Sequence, residues 1–174
     1  MLKIIRRNYK ENAIKWEINM SKTIIISPYS RRLRNGKNNP KNFPYWEDVV
    51  KKLKLEDYKI VQVGVNGESK IDGVDEYLIN LSLKKLSELI NKCNVWIAVD
   101  NFFQHLAFMG GKRGIVIFSQ SDPEIFGHKE NVNLLKGRQY LRERQFDIWE
   151  TTEYKEEAFV TSIDVINAVN QIVV

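Results

Sequence analysis

The chain has 174 residues, of which 43% are hydrophobic and 28% charged, and a formal net charge of +5. This composition is that of an ordinary globular protein and excludes a disordered or collagen-like chain. The apolar runs are far shorter than the roughly 20 residues that cross a bilayer, which predicts that the chain spans no membrane. The charged N-terminus predicts that the chain carries no secretory signal, and the single cysteine, Cys93, cannot form an internal disulfide. We therefore expect a cytoplasmic protein.

The excess positive charge is concentrated in one segment, residues 31–41. This basic loop contains no acidic residue, and its basic residues are Arg31, Arg32, Arg34, Lys37 and Lys41. Such a segment attracts anions, so nucleic acid, nucleotide phosphates and an anionic membrane surface are all candidate ligands. The alternative is an ordinary solvated surface loop.

The first half of the chain alternates between strand and helix patterns. The β-branched run Thr23–Ser27 predicts a buried strand that ends at Pro28. Apolar residues at helical spacing predict a helix at 46–53, and further strands are predicted at Lys59–Gly64 and 76–80. Because residues 1–20 precede this pattern, we interpret them as an N-terminal appendage to a domain that spans 21–174.

The same alternation continues in the second half. Ser82 is a good N-cap for a helix at Leu83–Lys92, and strands are predicted at 94–99 and 114–118 on either side of a short helix at 104–109. A last amphipathic helix is predicted at Ser162–Val173. The segment 127–159 is polar, aromatic and irregular, so the sequence assigns no element to it.

Short, almost wholly apolar strands that alternate with amphipathic helices are typical of a parallel sheet with helices on both faces. The sequence therefore predicts an α/β fold: one Rossmann-like domain with a doubly wound, mainly parallel sheet. Ligands of such sheets bind beyond the carboxyl ends of the strands. The candidate site consequently comprises the four segments that follow strands, namely 27–31, 64–68, 100–105 and 119–123.

The segment 100–105 is the most informative of the four, because it joins a buried strand to a helix. The N–H groups in the first turn of a helix favour phosphate, and a histidine there adds a second donor. Asp100, Asn101 and His105 are therefore candidate phosphate-binding residues. The alternative is that Asp100 or Asn101 merely caps the helix and that His105 is an incidental surface residue.

Three segments in this part of the chain carry a resemblance to a known family. DNFFQHLA at 100–107, GK at 111–112 and FSQSDP at 118–123 resemble the C-terminal, donor-binding half of the heptosyltransferase-like family 9 glycosyltransferases. The family pattern is Asp-Thr/Ser-Gly-x-x-His-Leu-Ala, then Gly-Lys-Pro, then Phe/Tyr-Gly-x-Thr-Asp-Pro. PKNFPYW at 40–46 is similar to the family's Lys-x-Trp-Pro segment. Phe102 and Ser119 stand where the family has glycine.

The resemblance implies a glycosyltransferase-like protein that transfers a sugar from a nucleotide-diphosphate sugar to an unknown acceptor, without a metal or other cofactor. It implies that Lys41 and the loop of Asp100, Asn101 and His105 hold the donor phosphates, and that Glu68 lies near the donor ribose. We predict that Ser30 also belongs to the nucleotide-sugar site, in a crevice between the loop at 30–41 and the turn at 100–105. The alternatives are an exposed loop lysine for Lys41 and a solvated carboxylate for Glu68.

Members of this family have two Rossmann-like domains, whereas 174 residues are enough for one. The family's proposed catalytic base lies in the other domain, so the resemblance identifies no catalytic residue here. We therefore expect the chain to form a homo-oligomer or to pair with a partner subunit. Two other functions stay open: a non-catalytic module that binds a nucleotide or nucleotide sugar, and a nucleic-acid-associated protein that uses the basic loop.

Overall fold

A computed structural model describes residues 22–173, and the predicted appendage at 1–20 lies outside them. Within the described residues the strands are β1 (Thr23–Ser27), β2 (Lys59–Gly64), β3 (Glu76–Ile79), β4 (Val95–Val99), β5 (Ile115–Phe118) and β6 (Val132–Leu135). The helices are α1 (Trp46–Leu55), α2 (Leu83–Lys92), α3 (Phe102–Met109), α4 (Pro123–Phe126) and α5 (Ser162–Val173). None of these helices has the length and apolar character needed to cross a membrane.

The strands form one sheet in the order β3-β2-β1-β4-β5-β6, and every neighbouring pair is parallel. The chain thus runs from the centre of the sheet to one edge, returns to the centre, and then runs to the other edge. This is the doubly wound order of Rossmann-like domains. The fold class predicted from the sequence is confirmed.

The central strands are almost wholly apolar because both faces of the sheet are covered. Successive side chains of a strand point to opposite faces. In β1, Ile24 and Ile26 pack in one core with α1 and α5, whereas Ile25 packs in a second core with Ile90 of α2 and Phe103 of α3. The helices therefore lie on both faces, as predicted.

The sequence analysis missed β6, which lies in the unassigned segment 127–159 and pairs with β5 at an edge of the sheet. All four residues of β6 are half-buried, and the strand has a polar residue, Asn133, among its apolar ones. It therefore lacks the unbroken apolar run by which a central parallel strand is recognised.

Several element boundaries differ from the predicted ones by one or two residues, and two of the differences have a clear local cause. Helix α3 begins at Phe102, earlier than predicted, because the side chain of Asn101 caps it. Strand β3 ends at Ile79 because Asn80 adopts a left-handed backbone conformation, with φ of 55°. Asparagine tolerates that conformation better than most residues do.

Candidate functional site

A cleft of about 650 Å³ lies at the carboxyl ends of β1, β2 and β4. It includes the point between β1 and β4 where the strand order reverses, which is where open α/β sheets bind ligands. Its lining includes all six residues singled out from the sequence, namely Ser30, Lys41, Glu68, Asp100, Asn101 and His105. The fold thus brings together residues from four separate stretches of the chain.

Asp100 is the centre of the polar end of this cleft. Its side chain is only 5% exposed. Its Oδ2 lies 2.7 Å from Nζ of Lys41 and accepts a hydrogen bond of 2.7 Å from Oγ of Ser121, while Oδ1 accepts one of 2.8 Å from Nε2 of Gln104. Buried carboxylates require partners of this kind. Donors from the protein itself therefore use most of the hydrogen-bonding capacity of this carboxylate. The carboxylate in turn orients the ammonium group of Lys41.

Lys41 lies beneath aromatic side chains and is 16% exposed. Its Nζ lies 4.7 Å from the ring centroid of Trp149 and 6.0 Å from that of Phe126, distances at which a ring face attracts a cation. The adjoining backbone is also held, since Oγ of Ser119 donates to the carbonyl oxygen of Pro40 at 2.7 Å. The ammonium group is therefore fixed in place by the surrounding protein.

Asn101 is the N-cap of α3, so the capping alternative raised from the sequence applies to this residue. Its Oδ1 accepts from the N–H of Phe103 at 2.9 Å. Its Nδ2 donates to Oγ of Ser27 at 3.0 Å and to the carbonyl oxygen of Tyr29 at 2.8 Å. These bonds tie the start of α3 to the end of β1. They place a helix N-terminus, with its partial positive charge, at the cleft.

His105 lies in the first turns of α3 and forms a pair with His128. Its Nδ1 is 2.9 Å from Nε2 of His128, and the ring of His128 stacks on Phe108 with centroids 3.9 Å apart. Burial lowers the pKa of His105 below its ordinary value, and His128 lowers it further, while Asp100 acts in the opposite direction. The His105 ring is therefore mainly neutral at pH 7.

The opposite end of the cleft, towards β2, β3 and α2, is apolar. Its aliphatic lining consists of Val63, Val65, Leu78, Leu81, Leu83 and Leu86. The carboxylate of Glu68 is tucked against Gly64, where a Cβ atom would collide with it, and accepts the N–H of Val65 at 3.0 Å. Burial raises the pKa of Glu68, and the hydrogen bond from Val65 offsets part of that shift.

Two further lining residues complete the wall around α3 and the basic loop. The backbone N–H of Ser30 donates to Oδ1 of Asn42 at 2.8 Å, which holds the start of the basic loop against its own end. Phe102 is the first residue of α3, and 55% of its surface is exposed. An aromatic ring that is this exposed at the edge of a cleft is available for contact with a ligand.

The sequence analysis did not single out four residues that contact the polar side chains of the site, namely Gln104, Ser121, His128 and Trp149. Gln104 and Ser121 lie in segments that follow strands, so their position could have identified them. Glutamine and serine do not by themselves indicate a functional site. His128 and Trp149 belong to the segment 127–159, in which no periodic pattern connects sequence position to the cleft.

The parallel sheet, its strand order and the cleft at the reversal point define a Rossmann-like α/β domain. Comparison with solved structures narrows this class to a glycosyltransferase-like fold. The glycosyl transferase family 9 structure from Veillonella parvula DSM 2008 matches with a TM-score of 0.66 at 16% identity, over 88% of this chain and 46% of that one. E. coli heptosyltransferase WaaC with ADP matches with a TM-score of 0.64 at 14% identity, over 91% and 46%.

A third similar structure is the dodecameric iron-containing heptosyltransferase TibC from enterotoxigenic E. coli, in complex with ADP-D-β-D-heptose. It matches with a TM-score of 0.64 at 15% identity, over 87% of this chain and 45% of that one. The chain therefore spans slightly less than half the length of these proteins and resembles a half of them in fold. No protein-family model and no curated protein sequence matches the chain.

Proposed function

We propose that the cleft binds a nucleotide-diphosphate sugar and that the chain is the donor-binding part of a glycosyltransferase. The observation that carries this proposal is the composition of the cleft, which joins a polar end, with the ammonium of Lys41 and the N-terminus of α3, to an aliphatic end between β2 and α2. A diphosphate is anionic, whereas a nucleobase is a flat and largely apolar ring. The two ends of the cleft therefore match the two parts of a nucleotide.

At the polar end, the diphosphate lies against Lys41, the first turn of α3 and His105 in this proposal. When the bond between the anomeric carbon and the phosphate oxygen breaks, negative charge develops on the leaving nucleoside diphosphate. A lysine and helix N–H groups that are already in place stabilise that charge with little rearrangement. In this proposal they do so without a metal ion or another cofactor.

At the apolar end, the nucleoside lies among the aliphatic side chains, and Glu68 accepts hydrogen bonds from the ribose hydroxyls. Two of the similar structures were solved with ADP and with ADP-D-β-D-heptose, which makes adenine nucleotides the first to test. One of them is dodecameric, which supports the further proposal that this chain works as an oligomer or with a partner subunit.

A thermal-shift panel of ADP-, UDP-, GDP- and CDP-sugars tests the proposal. At least one should stabilise the protein, because a ligand at 100 times its Kd adds about 2.7 kcal/mol. Lys41→Ala and His105→Ala should each weaken its binding about ten- to hundredfold, as expected for charge-assisted hydrogen bonds worth roughly 1.5–3 kcal/mol. Asp100 keeps Ser121 and Gln104 as donors in Lys41→Ala, so we expect the fold to persist, which circular dichroism checks.

Lys37→Ala is the matched control, because Lys37 belongs to the same basic loop but does not line the cleft. It should bind the nucleotide sugar as tightly as the wild type does. A panel without any shift contradicts the proposal. A salt-dependent shift with DNA, and none with nucleotide sugars, would favour the nucleic-acid alternative.

A further inference from the structure

The pair formed by His105 and His128 contains both histidines of the chain. His105 lines the cleft, and His128 does not. His128 is held by its surroundings, because its carbonyl oxygen accepts from Nδ2 of Asn133 at 2.9 Å and from the N–H of Asn131 at 3.1 Å. Its ring lies flat on Phe108, at an interplanar angle of 6°. His128 is therefore a fixed support beside His105.

The direction of the hydrogen bond between the two rings determines where each ring carries its hydrogen. At 2.9 Å one ring nitrogen must donate to the other, and a neutral imidazole has a single N–H. If Nε2 of His128 donates, both rings are Nε2–H tautomers, the form that neutral histidine prefers in water. If Nδ1 of His105 donates, both rings are in the less favoured Nδ1–H form. Tautomer preference in both rings thus favours His128 as the donor.

We propose that His128 is a positioning residue that fixes His105 as its Nε2–H tautomer. The consequence for the ligand rests on the proposed function, since Nε2 of His105 then presents an N–H donor to a diphosphate in the cleft. In the opposite tautomer, Nε2 would present a lone pair, which repels an anionic oxygen. His128 touches no ligand in this arrangement and acts through His105 alone.

The tautomer matters only while the His105 ring is neutral, because a protonated ring donates from both nitrogens. Burial keeps the pKa of His105 below its ordinary value, His128 and Lys41 act in the same direction, and Asp100 opposes them. Above this pKa, a ring without its support can rotate or change tautomer and lose the donor. Below it, the ring donates whether or not His128 is present.

Two variants separate the hydrogen bond of His128 from its packing. His128→Phe keeps a flat ring for the stack on Phe108 but removes the donor. His128→Gln loses the aromatic ring but carries an amide N–H that can reach the place of Nε2. A merely structural role predicts that the Phe variant is the better replacement, whereas a positioning role predicts that the Gln variant is.

Nitrogen NMR of the histidine rings in the free protein at pH 8 tests the tautomer directly, and the spectrum of His128→Phe assigns its signals. We expect the hydrogen of His105 on Nε2, and a hydrogen on Nδ1 would overturn the proposal. With ADP as the probe, His128→Phe should bind about tenfold more weakly than the wild type at pH 8, and the difference should shrink as the pH falls through the pKa of His105. His128→Gln should bind within about threefold of the wild type at pH 8.

The binding results also separate this inference from the proposed function. If the wild type binds ADP and His128→Phe binds it equally well at pH 8, the positioning role is wrong while the proposed function stands. If the wild type does not bind ADP, an adenine nucleotide as ligand is contradicted. The tautomer seen in the free protein decides the positioning role in that case.

Discussion

The polar end of the cleft, around Asp100, and the apolar end, around Glu68, hold their carboxylates in different ways. Asp100 accepts from three side chains and is 5% exposed. The carboxylate of Glu68 accepts one backbone N–H, and its end of the cleft is also lined by aliphatic residues that are largely open, such as Val65 at 54% and Leu83 at 60% exposure. The polar end is thus complete before a ligand arrives, whereas the apolar end can bury its surface only under a ligand.

This difference assigns different tasks to the two ends. Groups that are already fixed and paired can orient a ligand without losing further side-chain freedom. Exposed aliphatic surface contributes through burial, at about 25 cal/mol for each Å² that a ligand covers. We therefore expect the polar end to determine the position of a diphosphate and the apolar end to supply much of the affinity for the nucleoside.

Asp100→Ala should have the largest effect, because it breaks the network of the polar end. It leaves the largely buried ammonium of Lys41 without its counter-ion, and loss of one partner of a buried pair costs roughly 3–5 kcal/mol. Since Lys41 keeps some solvent contact, we expect the free energy of unfolding to fall by about 3 kcal/mol, measured by urea denaturation.

Glu76→Ala is the matched control for Asp100→Ala. Glu76 pairs with Lys59, and both side chains are about one third exposed, at 36% and 32%. Exposed pairs contribute about 0–1 kcal/mol, so this variant should lose less than about 1 kcal/mol. Equal losses in the two variants would contradict the view that the polar end is a buried and mutually dependent network.

Phe102→Gly should have the next largest effect. It tests whether a ligand that spans the polar and apolar ends of the cleft contacts the Phe102 ring. If the exposed ring stacks on the base, its loss should weaken nucleoside diphosphate binding about tenfold, since base stacking on an aromatic ring is worth roughly 1–3 kcal/mol. Inorganic pyrophosphate has no base and should bind equally to both proteins. Calorimetry that shows tighter nucleotide binding by the variant would instead identify Phe102 as an obstacle to the phosphates.

The smallest expected effect concerns Glu68 and the pH dependence of stability. Because burial raises the pKa of Glu68 in the folded protein, its stabilising contribution is present below the unfolded pKa of roughly 4.3 and is lost as the pH rises through the folded pKa. Glu68→Gln should therefore show a flatter Tm profile between pH 4 and 7 and a slightly higher Tm at pH 7. A profile that coincides with that of the wild type would show that Glu68 is not desolvated in solution.

The sequence by itself determined the fold class, and it singled out six residues that the structure places in the lining of one cleft. Central strands of a parallel sheet are buried on both faces and must be largely apolar, as in β1 and β4, while the covering helices must be amphipathic. Both patterns are visible in a single sequence. Ser30, Glu68 and His105 lie in segments that follow strands, and the carboxyl ends of neighbouring parallel strands meet at one edge of the sheet. Lys41 follows no strand, and it was assigned from the family resemblance of residues 40–46 alone.

Only the tertiary structure decided how the site is supported. Strand β6 escaped detection because an edge strand that is half-buried carries no distinctive pattern. Trp149 reaches Lys41, and His128 reaches His105, through a long connection without periodicity. Contacts of this kind depend on how loops close over the finished sheet, and neither residue type nor spacing encodes them locally. For the same reason, only the folded structure shows that the Asp100 carboxylate pairs with Lys41, Ser121 and Gln104.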